Sequence, residues 1–208
     1  MATDEFGITH ELPLVAHTPS RAAAVVDLPQ SFLAFSPEWL EHFRRRYPLS
    51  SLEVRLLEEV RDSVTVRGCL DQEELLRIVR WKSRRALRHA SINSRELVSL
   101  VSRAAISAPE TLAVHTLTYL RGVSVPMASA IMTVINPDRF TIMDVYSTAA
   151  ISQYVAQCST VDLRTGDYWS YLLICRRLAD QLGTNLRDLD RALWAYGKAL
   201  EESRQRAR

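Results

Sequence analysis

The chain has 208 residues, 47% of them hydrophobic and 24% charged, with a formal net charge of +2. That length suits one domain or two small lobes sharing a core, and so mild a charge excludes a partner held by overall basicity alone, leaving local clustering to mark any nucleic-acid surface. The three cysteines, Cys69, Cys158 and Cys175, are odd in number and widely spaced, which excludes a disulfide framework and the usual zinc or iron–sulfur ligand patterns and leaves free thiols.

Only six glycines and few alternating β-branched runs predict an all-α protein. Residues 1–30 hold prolines and small residues without a sustained period and read as an N-terminal extension, followed by one helical domain over 31–208. Asp4, Glu5 and Glu11 interrupt any signal-peptide pattern, and no run approaches the ~20 apolar residues of a membrane span, so the expected setting is cytoplasmic, with no membrane partner.

"SPEWLEHFRRRYP" opens the helical part, with Ser36 as cap, Pro37 in the first turn and Pro48 as a stop. "SSLEVRLLEEVRDSV" carries a stripe of Leu52, Val54, Leu56, Leu57 and Val60. "LDQEELLRIVRWKSRRALRH" follows as one helical segment, with Asp71 as N-cap and Glu74 completing a capping box. "NSRELVSLVSRAA" and "APETLAVHTLTYL" read as helices, then "VPMASAIMTVI", ended by Asn136 and Pro137. "DVYSTAAISQYVAQC" begins on Asp144. Gly166 and Asp167 break the chain before "YWSYLLICRRLADQLG", which Gly183 stops. "NLRDLDRALWAYGKALEE" closes the fold with Leu186, Leu189, Leu193 and Tyr196 on one face, so the closing helices span 168–203.

Within 110–136, "HTLTYL-RGVSV-PMASAIM" joins two helices through a short glycine turn. The free N–H groups at the start of the second helix then point outward together, an arrangement that accepts a DNA phosphate without base contacts. Gly122 allows the turn, and Pro126 suits a first helical turn.

"LRGVSVPMASAIM" resembles the helix-hairpin-helix of the base-excision DNA glycosylase superfamily, whose hairpin reads roughly L-P-G-V-G-x-K/x-T-A. Asp144 follows Gly122 by 22 residues, the spacing at which that superfamily carries an essential aspartate, and "LDRALWAYGK" is similar to a closing L-D-x-A-L-W-x-x-G element. The resemblance covers about residues 70–198. It implies a compact glycosylase-like helical fold that binds double-stranded DNA carrying a modified base, acting as a monomer and associated with the nucleoid. It implies Asp144 as the catalytic carboxylate and Gly122, Val123, Ser124, Val125, Pro126, Met127 and Ala128 as the grip on the backbone. It implies no metal site and no cofactor, beyond a monovalent cation at the hairpin. Such an enzyme rotates the base out of the stack. It then cleaves an N-glycosidic bond, where a carboxylate beside the sugar stabilises positive charge and orients water.

Four departures shape the expectation. Pro126 stands where lyase-active members carry a hairpin lysine, which excludes a Schiff base from that position and makes water the expected nucleophile. Ser124 replaces the second hairpin glycine. The four-cysteine cluster of some members is absent, as is the Gln- or Asn-bearing helix that often supports the flipped base.

"RIVRWKSRRALR" holds six basic residues, Arg77, Arg80, Lys82, Arg84, Arg85 and Arg88, with no acid and one tryptophan. It reads as a backbone-tracking patch, with Trp81 free to stack on a base. The plainer alternative is a helix whose arginines snorkel over a Trp81 anchored in the core. Trp81, Lys82, Arg84, Arg85, Arg121 and Tyr146 are the candidates for the DNA surface or base pocket. Lys82 reads as a phosphate contact or, alternatively, a displaced amine nucleophile. Arg139 and Tyr146 flank Asp144 as candidates for shaping its pocket. Two other classes stay open: a helix-hairpin-helix DNA-binding protein without chemistry, and a helical protein-interaction module.

Overall fold

The computed structural model describes residues 35–155 and 167–206, and every regular element among them is helical. In chain order these are α1 (Pro37–Arg44), α2 (Ser51–Arg67), α3 (Gln72–Lys82), a 3₁₀ turn (Arg84–Ala86), α4 (Leu87–Ala90), α5 (Arg95–Ser107), α6 (Glu110–Leu117), α7 (Val125–Ile135), α8 (Val145–Val155), α9 (Tyr168–Leu182) and α10 (Leu186–Arg206). The all-α expectation therefore holds for the described residues. The extension over 1–30, Cys158 and Gly166 lie outside them. No helix among the described residues is long and apolar enough to cross a membrane.

Local sequence sets most of the boundaries. Ser36 accepts a hydrogen bond from the Trp39 N–H at 3.2 Å. Asp71 and Glu74 form the expected reciprocal box, each side chain accepting from the other's N–H at 2.8 Å. Gly183 closes α9 with φ 62°.

One boundary departs from expectation. The segment expected to run as a single helix through His89 breaks at Ser83, whose φ is −161° and ψ 100°. Tertiary contact explains the break, because residues 84–90 turn aside to form a seat for the turn between α6 and α7. Gly122 has φ 78°, and a Cβ there would lie 2.7 Å from the Ala90 nitrogen and 3.1 Å from the Ala86 oxygen. Only glycine suits both the left-handed conformation and the approach.

Asn93 fastens the same turn from below. It is 2% exposed, its Nδ2 donates to the Ala90 and Arg121 carbonyls at 2.8 and 2.9 Å, and its Oδ1 accepts from the Arg121 N–H at 2.9 Å. Asn93→Ala strands these backbone groups, and an unsatisfied buried partner costs about 1–3 kcal/mol. The expected result is a lower denaturant midpoint with an unchanged slope in equilibrium unfolding.

The uncharged α7 is apolar all round and forms the centre of the fold, buried continuously from Met127 to Val134. It packs on α2, α3 and α6, while α10 packs on α8 and α1. The pocket described next lies where α3, α8 and α10 meet.

Candidate active site

Asp144 ends a non-helical approach, residues 140–143, that three hydroxyls hold in place. The Ser129 Oγ on α7 accepts from the Met143 N–H at 3.0 Å. The Tyr171 hydroxyl on α9 donates to the Ile142 carbonyl at 3.0 Å, and the Tyr168 hydroxyl donates to the Thr141 carbonyl at 2.9 Å. Burial pushes both phenols upward in pKa, so they stay neutral donors.

The two oxygens of Asp144 have different environments. Oδ1 accepts from the N–H groups of Tyr146 and Ser147, each at 3.0 Å, while Ser147 Oγ accepts from the Asp144 N–H at 3.0 Å. This reciprocal cap fixes the rotamer. Oδ2 is left to face Lys82, whose Nζ donates to it at 2.8 Å. The side chains of Lys82 and Asp144 are 18% and 12% exposed, so the pair is sheltered yet reachable.

Around that pair lies a pocket of about 170 Å³, lined by Tyr47, Pro48, Trp81, Lys82, Ile142, Asp144, Arg187, Asp190 and Trp194. Aromatic rings form much of its wall. Tyr47 and Trp194 meet edge to face at 5.3 Å between centroids, and the Arg187 guanidinium lies 5.8 Å from the Trp81 centroid. Larger cavities exist elsewhere, one near Cys69 of about 500 Å³, but this smaller one holds the carboxylate–amine pair. Chemistry, rather than volume, singles it out.

A buried ionic network supports the pocket from α2 and α10. Arg187 pairs with Glu53 at 2.5 Å and with Asp190, while the Tyr47 hydroxyl donates to Glu53 at 2.9 Å. Burial pushes the Tyr47 phenol up to about 12. Burial also raises Asp190 from 3.8 to about 6, against the opposing pull of Arg187 and with a further upward push from Asp144. The sign follows from linkage: Asp190 favours the folded state most below about pH 4 and loses that contribution as pH rises through about 6.

The segment from Trp81 to Ala90 connects this pocket to the α6–α7 turn. Trp81 and Lys82 line the pocket, Arg84 and Arg85 are exposed, and residues 86–90 carry the seat of Gly122. Arg80, Arg84, Arg85 and Arg121 are exposed and have no acidic partner among the described residues. In the turn itself, Ser124 and Pro126 are exposed, Gly122 and Val125 are partly covered, and Val123, Met127 and Ala128 face the core. Ser124 makes no side-chain capping bond, so the first-turn N–H groups of α7 are without a side-chain cap.

The candidates thus divide between pocket and surface. Trp81 and Lys82, candidates for the DNA surface or base pocket, both line the pocket, while Arg84, Arg85 and Arg121 are exposed. Tyr146 backs the pocket without lining it, its ring edge-on to Trp194 at 5.5 Å between centroids. Arg139 is drawn away by Glu110, 2.7 Å from its Nε, and lines a separate cavity. Sequence reasoning missed Tyr47, Arg187, Asp190, Ser129 and Asn93. Asp190 had a signal, since it is the acid of "LDRALWAYGK". The others join across gaps that no local pattern encodes.

Among the described residues no group of three or more His, Cys, Asp or Glu is placed to hold a metal. Compared with known proteins, the chain matches no family model, no curated protein and no solved structure.

Proposed function

We propose that the protein is a DNA glycosylase-like enzyme that turns a modified or damaged base out of duplex DNA and hydrolyses its N-glycosidic bond with water. The observation that carries this reading is the division of labour in Asp144. Its Oδ1 is anchored by two N–H groups of α8, and its Oδ2 is presented inside an aromatic-walled pocket. A carboxylate held in this way is prepared for positive charge developing on a sugar, without reorganising as the charge appears.

The surroundings support the same reading. Flat rings suit the face of a base, and exposed arginines without acidic partners suit phosphates. The α6–α7 turn offers backbone N–H groups beside those arginines, the arrangement that grips a phosphate. The resemblance of "LRGVSVPMASAIM" and the Gly122–Asp144 spacing to helix-hairpin-helix glycosylases points the same way.

The direct test incubates the protein with duplexes carrying a panel of altered bases and seeks free base by mass spectrometry. No release from any of them overturns the enzymatic reading. The second reading, a DNA-binding protein without chemistry, draws on the Lys82–Asp144 ion pair as a purely structural tie. It predicts duplex binding without base release.

The arginine surface has its own expected result. Replacing Arg84 and Arg85 together with alanine should weaken duplex binding uniformly across sequences. It should also reduce the slope of log K against log salt concentration by about 2, at about 0.9 for each phosphate no longer neutralised. Titrations at several salt concentrations, read by fluorescence anisotropy, check it. An unchanged slope removes these arginines from the interface.

A further inference from the structure

Two carboxylates line the pocket, Asp144 and Asp190, and the proposed reaction uses only the first. Asp190 stands just past the first turn of α10 and is 3% exposed. Its Oδ2 is tied to Nη1 of Arg187, whose Nη2 donates to Glu53 at 2.5 Å. Its Oδ1 has no hydrogen-bond partner among the described residues, and it is not one of the partnerless polar atoms sealed from solvent. The guanidinium beside it is committed: both Nη groups donate to carboxylates, and the Nε–H, without a partner, is sealed from solvent. What this wall leaves open to the pocket is an acceptor, held in place by an ion pair.

The hollow measures about 170 Å³. A cavity of ~150 Å³ admits a benzene ring, so this one has room for a single flat heterocycle beside the rings of Tyr47, Trp81 and Trp194. We propose that Asp190 determines which base the pocket takes: its Oδ1 accepts a hydrogen bond from an exocyclic amino group, so the ligands are amino-bearing bases of cytosine or adenine type rather than rings without that N–H. This rests on the reading of the pocket as the seat of a turned-out base.

An aspartate accepting from the amino group of cytosine is a regular pairing in base recognition. A site built around such a hydrogen bond rejects the analogue that lacks it, because the buried polar group is then left unpaired. The charge on Asp190 gives an independent handle. Burial raises its pKa to about 6, against the pull of Arg187 and Lys82 and with a further upward push from Asp144 and Glu53. Burial also keeps Tyr168, Tyr171 and Cys175 of α9 neutral around it. Above about pH 6 the ionised carboxylate is acceptor only; below it the group carries a proton and the preference for an amino donor fades.

The test measures binding of 1-methylcytosine and 9-methyladenine to the full chain by quenching of tryptophan fluorescence. Each is compared with the same ring lacking the amino group, 1-methylpyrimidin-2-one and 9-methylpurine; the methyl group stands where the sugar would be. Above pH 6, wild type should bind at least one amino-bearing ring about tenfold or more tightly than its counterpart, the size of one hydrogen bond to a charged group. Below about pH 6 that ratio should fall towards one. Asp190→Leu, which removes the acceptor, should show no preference at either pH; where it does not fold, the two wild-type measurements decide alone. Equal binding within both pairs, tighter binding of the rings without the amino group, or no binding of any ring overturns the proposal. So does a preference that survives unchanged at the lower pH or in folded Asp190→Leu. Because these rings carry no glycosidic bond, the result is independent of base release. An amino preference without release from any duplex would sink the glycosylase reading alone, and release without the preference would sink this inference alone.

Discussion

Asp144→Asn is expected to reduce release of free base by about 10²–10³-fold or more, the range seen when one preorganised electrostatic interaction with a transition state is removed. Asparagine is as good an N-cap as aspartate, so α8 should keep its start, and duplex binding through the arginines and the α6–α7 turn should persist. The loss should therefore fall on the chemical step, with kcat reduced and the dissociation constant for substrate duplex little changed. Single-turnover assays with mass-spectrometric detection of the base, beside gel-shift titrations, separate the two. Equal release by both proteins would remove Asp144 from the reaction.

The second large effect is expected far from any reacting atom. Gly197 lies in the middle of α10, where alanine would ordinarily gain about 1 kcal/mol in helix propensity. Here a Cβ would stand 2.0 Å from the Tyr146 carbonyl oxygen and 2.5 Å from its carbon. Backbone cannot yield as a flexible side chain can, and overpacking of this kind costs typically 1–3 kcal/mol, occasionally more. With approaches this short the clash should exceed the propensity gain. Gly197→Ala is expected to lower stability by about 3 kcal/mol and to push the first turn of α8 away from α10. Because Tyr146 N–H holds Asp144 Oδ1, base release should also fall by more than the unfolded fraction explains. Thermal unfolding and activity per folded molecule are the measurements. A variant more stable than wild type would show that α10 and α8 do not approach so closely.

The helices and their caps were legible because they depend on neighbours in sequence. Asp71 and Glu74 stand three apart, and Ser36 directly precedes Pro37, so their chemistry announces itself. The break at Ser83 was not legible, since its cause is a turn that arrives from residues 121–123 and presses Gly122 against residues 86–90. Asp144 was singled out by spacing and Lys82 as a candidate for the DNA surface or base pocket, but their pairing across 62 residues was not legible. Lys82 looked like one more member of a basic run, and only the end of α3 at that residue turns it inward while Arg84 and Arg85 turn out. Nothing in the local sequence marks Arg187 for burial. It is buried at 8% exposure because Glu53 and Asp190 neutralise it, and no period in sequence reports a partner on another helix.

The contribution of α10 has a consequence during synthesis. Arg187, Asp190 and Trp194, which form one side of the pocket, are made after every other residue that lines it. Domains fold as units as the chain emerges, so the chamber beside Asp144 closes only once α10 has been made and has packed on α8 and α1. On the proposed reading, the pocket would have nowhere to enclose a base until then. The order of synthesis thus completes the pocket last, when α10 packs.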